Sequence, residues 1–249
     1  MFTMKHRIPH ESLATWSDFK DFLARQIWED QPPVRGRFMF RGQADAEWSL
    51  DSLFDRMFSR GSRPNGELEQ RLLENFRKEC ESESDLKELA AEPERLTALA
   101  QHSGVPTRLL DWSDSPYIAS FFAFQGYVSQ SSRVAIWVLD TRARIWNERY
   151  GVQVLSIPSW QNTRMRLQAG FFTISRTPFP TLEEYVETFD ALDDEADPLL
   201  KVTLPSAEAR MALADLDLMG ITHGSLLGGL EGKAKAALTK AILANVTNP

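Results

Sequence analysis

The stretch Gln101-His102-Ser103-Gly104-Val105-Pro106-Thr107-Arg108-Leu109-Leu110-Asp111-Trp112-Ser113, together with the earlier Phe40-Arg41-Gly42-Gln43, decides how the rest of this chain is read. Polar and charged side chains crowd there against turn formers and strand ends, which is how a site is built rather than how a core is filled. Just ahead of the second segment, Arg37-Phe38-Met39-Phe40-Arg41 is short, aromatic and followed by glycine, so it predicts a strand that delivers Arg41 at its end. Behind the first, Ser115 caps a helix opening at Pro116. Its Ile118, Ala119, Phe121, Phe122 and Phe124 are apolar almost all round, which predicts burial.

Working outward, Leu13, Trp16, Phe19, Phe22, Leu23 and Ile27 recur at three- and four-residue steps, the stripe of an amphipathic helix over Ser12 to Trp28 that Pro32-Pro33 ends. Two more helices are predicted, over Glu67 to Leu89 and over Pro93 to Gln101, and both are expected to flank the site rather than form it. Val134 to Leu139 reads as a buried strand, and Gly151 to Ile157 and Gly170 to Ser175 as two more, separated by a polar stretch holding Asn162, Arg164, Arg166 and Gln168. The acidic run Glu183 to Asp197 reads as a solvated helix plus loop. Leu199 to Leu204 is the last strand; helices follow from Pro205-Ser206 to Leu218, closed by Gly220, and from Gly229 to Asn245. No proline-, glycine- or serine-rich linker divides the chain. The expectation is one α+β domain over 1–249 with a mixed or antiparallel sheet, flanking helices and a helical extension over 1–33 ahead of a core from 34 onward.

Composition bounds the chemistry. With 249 residues, 43% of them hydrophobic, the chain can bury a substantial core. Cys80 is the single cysteine, so neither an internal disulfide nor a cysteine-rich zinc site is available, which argues for a cytoplasmic protein. The charged N-terminal residues precede no apolar run, and no segment reaches the roughly 18 apolar residues of a membrane span. A net charge of -7 argues against bulk nucleic-acid binding while allowing a local basic site. There is no glycine-rich lysine phosphate loop, no three-glycine dinucleotide fingerprint, no His-Glu-x-x-His and no Gly-x-Ser-x-Gly. The four histidines, His6, His10, His102 and His223, are widely separated, so no metal is expected.

Several residues remain as site candidates, each with a structural alternative. Arg41 beside Gly42 suits a phosphate or pyrophosphate, because a guanidinium offers a planar fork of donors and glycine lets a ligand approach the backbone; the alternative is a salt bridge to Asp45 or Asp111. His102 is a candidate for a ribose hydroxyl or for proton transfer, or is a structural histidine beside a turn. Thr107 and Ser113 either contact ligand or cap a strand and a helix. Asp111 beside Trp112 is placed to stabilise a developing cation, or else caps its own turn or pairs with Arg108.

The Phe-Arg-Gly segment, the whole Gln101–Ser113 motif, Ser115-Pro116 and Ala119 to Phe122 resemble the FRG-domain family, named for its Arg-Gly motif. The similarity continues at Arg166, Gln168, Gly170 and Phe171 and, more weakly, over Gly220 to Leu238, where Leu227-Gly228-Gly229-Leu230 replaces the more usual Phe-Pro-Asp-Leu. A more distant resemblance is to arginine-type ADP-ribosyltransferases: an arginine and glycine at a strand end, a hydroxyl-bearing strand followed by a helix, and a third block ending in glycine and a strand. That resemblance implies NAD as substrate, no metal, and a macromolecular acceptor or water. It further implies Arg41 gripping NAD, Thr107 or Ser113 lining the nicotinamide pocket, and Gln168 near the position of a glutamate that steadies the ribosyl cation. A toxin or defence effector is the role such an activity implies. The cofactor-binding set is then Arg41, Gly42, His102, Thr107, Arg108 and Ser113, and the catalytic set Arg41, Asp111 and Gln168. Because glutamine carries no charge, Asp111 supplies the anion in this reading. The rival reading is a module that binds a nucleotide or a partner without turnover. A nuclease built on Asp111, Arg41 and His102 lacks the further carboxylates that a metal pair requires.

Overall fold

The computed structural model describes residues 8–29, 31–59, 66–81, 92–126, 131–156, 170–189 and 197–245. Its centre is a seven-stranded mixed sheet of β1 (His10–Ser12), β2 (Phe38–Gln43), β3 (Leu109–Ser113), β4 (Arg133–Asp140), β5 (Val152–Leu155), β6 (Gly170–Ser175) and β7 (Leu199–Pro205), in the order β1-β7-β4-β2-β3-β6-β5. Every neighbouring pair is antiparallel except β1 and β7, which run parallel. The protein is thus a single α+β domain. No helix among the described residues is long and apolar enough to cross a membrane.

β4 explains why the sheet needs two covers. Its residues from Val134 to Asp140 are all buried, and because side chains alternate across a strand both faces need apolar partners. Phe40, Val134, Ile136, Val138, Val202 and Leu204 meet helices α1 (Trp16–Phe22), α5 (Pro116–Phe124) and α7 (Ala209–Leu218) on one face. Met39, Ala135, Trp137, Leu139 and Leu199 meet Leu50, Ile145, Leu182 and Tyr185 on the other. Each fully buried side chain of this kind contributes roughly 1.5–3 kcal/mol.

The N-terminal residues are woven into this core rather than added to it. β1 pairs with β7 through His10, Glu11 and Ser12, so the predicted helix start at Ser12 gives way to strand. Thr15 then begins α1 with a capping box, its hydroxyl accepting from Asp18 N at 3.1 Å while Asp18 Oδ2 accepts from Thr15 N at 3.0 Å. A π-turn over Leu23–Ile27 continues the helix, closed by Trp28 N donating to Leu23 O at 2.9 Å, and keeps Leu23 and Ile27 buried. Helices α2 (Leu53–Phe58), α3 (Gly66–Cys80) and α4 (Pro93–His102) lie between β2 and β3 in sequence. The short α6 (Leu182–Val186) buries Leu182, Tyr185 and Val186, so the start of the acidic run is packed rather than solvated. The chain closes with α8 (His223–Leu227) and α9 (Gly229–Asn245).

β2 runs two residues past Arg41, because Gly42 and Gln43 still pair with Ile136 and Ala135 of β4. Arg41 is therefore inside the strand and not at its end. Gly42 is held to glycine by helix α5. A Cβ there would overlap the carbonyl oxygen of Ala119 and meet Ala119 C and Ala123 N at 2.8 Å. These obstacles are backbone atoms and cannot swing aside. Gly42→Ala is expected to destabilise the protein by about 3 kcal/mol or more, at the upper end of what overpacking costs, and urea denaturation of the purified variant measures it.

Candidate functional site

β2 and β3 are neighbours through one residue pair only, Phe40 opposite Ser113. Beyond it the strands part. β2 stays paired with β4 and β3 with β6, so the sheet opens between its two halves. A cleft of about 960 Å³ occupies the opening, with Phe40 to Ala44 on one side and Asp111 to Ser113 on the other. Phe122 from helix α5, Gln125 just after it, His102 from the end of α4, and Glu47, Trp48, Asp51 and Arg56 also line it.

Arg41 bridges the parting. Its Nη1 donates to the Asp111 carbonyl oxygen at 2.8 Å and stands 3.9 Å from the Asp111 carboxylate. Asp45, the other partner weighed from the sequence, plays no part in this contact. The Arg41 side chain is only 19% exposed, and its Nε is buried without a hydrogen-bond partner among the described residues. Burial lowers the proton affinity of this guanidinium, the charge of Asp111 opposes that shift, and the nearby Arg56 cation adds to it.

Asp111 is half exposed and faces the cleft from β3. Its Oδ1 accepts from Gln101 Nε2 at 2.8 Å, while Thr107 Oγ1 donates to Gln101 Oε1 at 2.5 Å. The hydroxyl therefore fixes which way the glutamine amide points, aiming the Nε2 donors at Asp111. Both Gln101 and His102 come from the last turn of α4, so this helix forms the site rather than merely flanking it. The His102 ring meets Phe172 edge-on at 6.3 Å at the cleft wall. Ser113 also lines the cleft, and its Oγ accepts from Ser115 N at 3.1 Å, turning the chain into α5.

Two predicted ligand contacts are corrected by the structure. Thr107 is buried and lies outside the cleft, engaged with Gln101 and accepting from Leu109 N at 3.3 Å. Arg108 is buried too, with Nε 3.5 Å from Glu69 and 3.8 Å from Asp55 and its guanidinium 5.0 Å from the Phe54 ring centroid. Arg108, one residue ahead of β3, thus pairs with these carboxylates and not with Asp111. Gly42 does line the cleft, but its missing side chain answers to α5. Gln168 lies outside the described residues, as do Asn162, Arg164 and Arg166.

The residues displaced from the ligand set hold the walls instead. Phe54 N donates to the Thr107 carbonyl at 3.3 Å, and Asp55 closes its own helix start by accepting from Ser52 Oγ at 2.8 Å. Helix α2, which carries Arg56, is therefore docked on Thr107 and Arg108. Across the cleft Gln43 accepts from Trp137 Nε1 at 2.7 Å and donates to the Ser49 carbonyl at 2.9 Å, pinning the loop that carries Trp48.

Arg56, Trp48 and Asp51 are the functional candidates that the sequence did not single out. Arg56 Nη1 donates to the carbonyl and carboxylate of Asp51 at 2.7 and 2.8 Å. The sequence carries no signal for them beyond their closeness to the Phe-Arg-Gly-Gln strand, because the exposure of Trp48 is set by folding. No group of three or more metal-ligating side chains occurs among the described residues.

Residues 36–132 match the family model of the FRG domain, so an FRG domain occupies this span of the chain. It covers β2, β3, helix α5 and every cleft residue named above except Phe172. No curated protein and no solved structure matches the chain.

Removing the Arg108 charge leaves Asp55 and Glu69 without their shared cation. Arg108→Met is expected to cost about 3–5 kcal/mol of unfolding free energy in denaturant titrations, the range for breaking a buried ion pair by deleting one partner.

Proposed function

We propose that the cleft binds NAD, or a nucleotide close to it, and transfers the ADP-ribosyl group to a macromolecule or to water. The observation that carries this reading is the meeting of Arg41 and Asp111, a cation and an anion 3.9 Å apart in a cleft large enough for a dinucleotide. Separate ligand groups match them. The guanidinium suits phosphate oxygens, and the carboxylate suits the positive charge that develops on the ribose.

In the proposed reaction the bond between the ribose C1′ and the nicotinamide nitrogen breaks, and its electron pair leaves with nicotinamide. C1′ gains oxocarbenium character. The acceptor oxygen or nitrogen then bonds to C1′ and releases its proton. Asp111, held in place by Gln101, faces the developing cation, and His102 stands at the same wall as a group able to take the acceptor's proton. The carboxylate is half exposed, so its contribution grows when bound ligand displaces water from the cleft.

Arg41 also spans the two strands, so its truncation would disturb structure and binding together. The test therefore pairs Arg41→Lys, which keeps a donor, with Asp111→Asn, which keeps the shape and the Gln101 contact. Nicotinamide release from NAD is followed chromatographically, with melting temperatures as the folding control. The wild-type chain is expected to release nicotinamide, Asp111→Asn to lower the rate by on the order of 100-fold, and Arg41→Lys chiefly to raise KM. NAD binding without release would make the cleft a binding module, the rival reading. An Asp111→Asn protein as fast as wild type would remove the carboxylate from the mechanism.

A further inference from the structure

Trp48 stands apart from the buried tryptophans. Trp16, Trp112, Trp137 and Trp146 are all buried, and each donates its indole N–H, to Asp215, Thr173, Gln43 and the Asp140 carbonyl. Trp48 is 56% exposed at the cleft wall and makes no indole hydrogen bond among the described residues.

This exposure belongs to a fixed loop. Gln43 holds the Ser49 carbonyl at 2.9 Å, Ala46 N donates to the Arg133 carbonyl at 3.0 Å, and Trp48 N donates to the Asp45 carbonyl at 3.2 Å. Leu50 is gripped from both sides. Its N–H donates to both carboxylate oxygens of Glu183 at 2.9 and 3.0 Å, and its carbonyl accepts from Leu182 N at 3.1 Å. An apolar ring held in water by a pinned backbone is pre-organised for a flat partner, since little loop ordering remains to oppose binding.

Arg56 adds the second feature. Its side chain is half exposed, and only Nη1 is engaged, with Asp51, among the described residues. The remaining guanidinium edge is open to an anion. Both arginines line the same cleft, and the Arg56 cation lowers the proton affinity of Arg41. Two like charges lining one cavity repel, and a ligand carrying two linked phosphates relieves that repulsion where a single phosphate reaches one cation only.

We propose that Trp48 and Arg56 form a second half-site that stacks the nucleobase and binds the inner phosphate of a nucleoside diphosphate moiety, with Arg41, beside Asp111, on the outer phosphate. The assignment rests on the nucleotide reading above and extends it by orienting the ligand. The nucleoside diphosphate end lies along Trp48 and Arg56, and the reacting ribose lies toward Asp111 and His102. Unphosphorylated sugars share the affinity for an indole face but bring no anion to either guanidinium.

Calorimetric titration of the full chain with ADP, AMP, inorganic pyrophosphate and nicotinamide mononucleotide tests this. The wild-type protein is expected to bind ADP about tenfold or more tightly than either AMP or pyrophosphate, the scale of one base stack or one charge-assisted contact. Trp48→Ala is expected to erase the preference for ADP over pyrophosphate, and Arg56→Gln, which keeps a donor for Asp51, to weaken ADP and AMP alike by about tenfold. Because both side chains are exposed, melting temperatures should hold. Unchanged ADP affinity in both variants overturns the half-site. Tight binding of nicotinamide mononucleotide with none of ADP also overturns it while leaving the NAD reading standing, whereas a wild-type chain that binds none of the four overturns both.

Discussion

The fold turns on a single interruption. At the middle of a seven-stranded sheet, two neighbouring strands meet at Phe40 and Ser113 and then separate. A side chain, not a backbone ladder, carries the connection across the gap, with Arg41 donating to the Asp111 carbonyl at 2.8 Å. A hydrogen bond from a charged donor is worth about 1.5–3 kcal/mol, enough to replace a lost ladder bond without closing the space. The position is not arranged for stability alone. The guanidinium is largely buried and its Nε has no partner among the described residues, a cost that an apolar residue would avoid. The cost is partly offset by the Asp111 carboxylate 3.9 Å away, and it is what makes this cation the basis of the ligand reading proposed above.

The Phe-Arg-Gly-Gln strand divides its labour by alternation. Phe40 enters the core beneath helix α5, and Gly42, on the same face, lets that helix approach to backbone contact. Arg41 and Gln43 point the other way, one into the cleft and one onto the loop that carries Trp48. The Gln101–Ser113 motif splits in a similar manner. Gln101, His102, Asp111 and Ser113 shape or orient the cleft surface, while Thr107 and Arg108 lock helix α2 and the amide of Gln101 behind it. The walls and the surface are therefore coupled through side chains a few residues apart, and a change in either group moves the other.

This division also explains what the sequence made legible. Ser115 as the cap of the buried helix and the strand through Val134 to Leu139 were readable because caps and unbroken apolar runs are local. β1, α2 and α8 were not, at three, six and five residues, because elements so short are set by what they pair with or pack on. Arg41, His102, Asp111 and Ser113 were recognisable as a group through their motifs, and the structure brings them to one cleft. Thr107 and Arg108 were assigned to ligand from the same motif, since side-chain chemistry reveals type and not facing. Arg108 turns to Glu69 and Asp55, contributed by helices whose docking no local pattern encodes, and Thr107 to Gln101. Trp48 and Arg56 escaped notice for the converse reason. A tryptophan in a sequence reads as core until the loop that holds it outward is seen.

Charge distribution adds a last constraint. The chain carries a net charge of -7, yet two arginines are gathered at one cleft together with Glu47, Asp51 and Asp111. At physiological salt, surface charges are screened over about 8 Å, so the acidic exterior does little to a small anion already inside the cavity. It acts differently on an extended polyanion, which must lie along that exterior to reach the same two cations. Inside the cleft, where the surroundings are less polarisable than water, each cation–anion contact is worth more than on the surface. On the nucleotide reading proposed above, this contrast would favour a compact anion, which meets the cleft's cations directly, over a nucleic-acid strand, which would meet the exterior first.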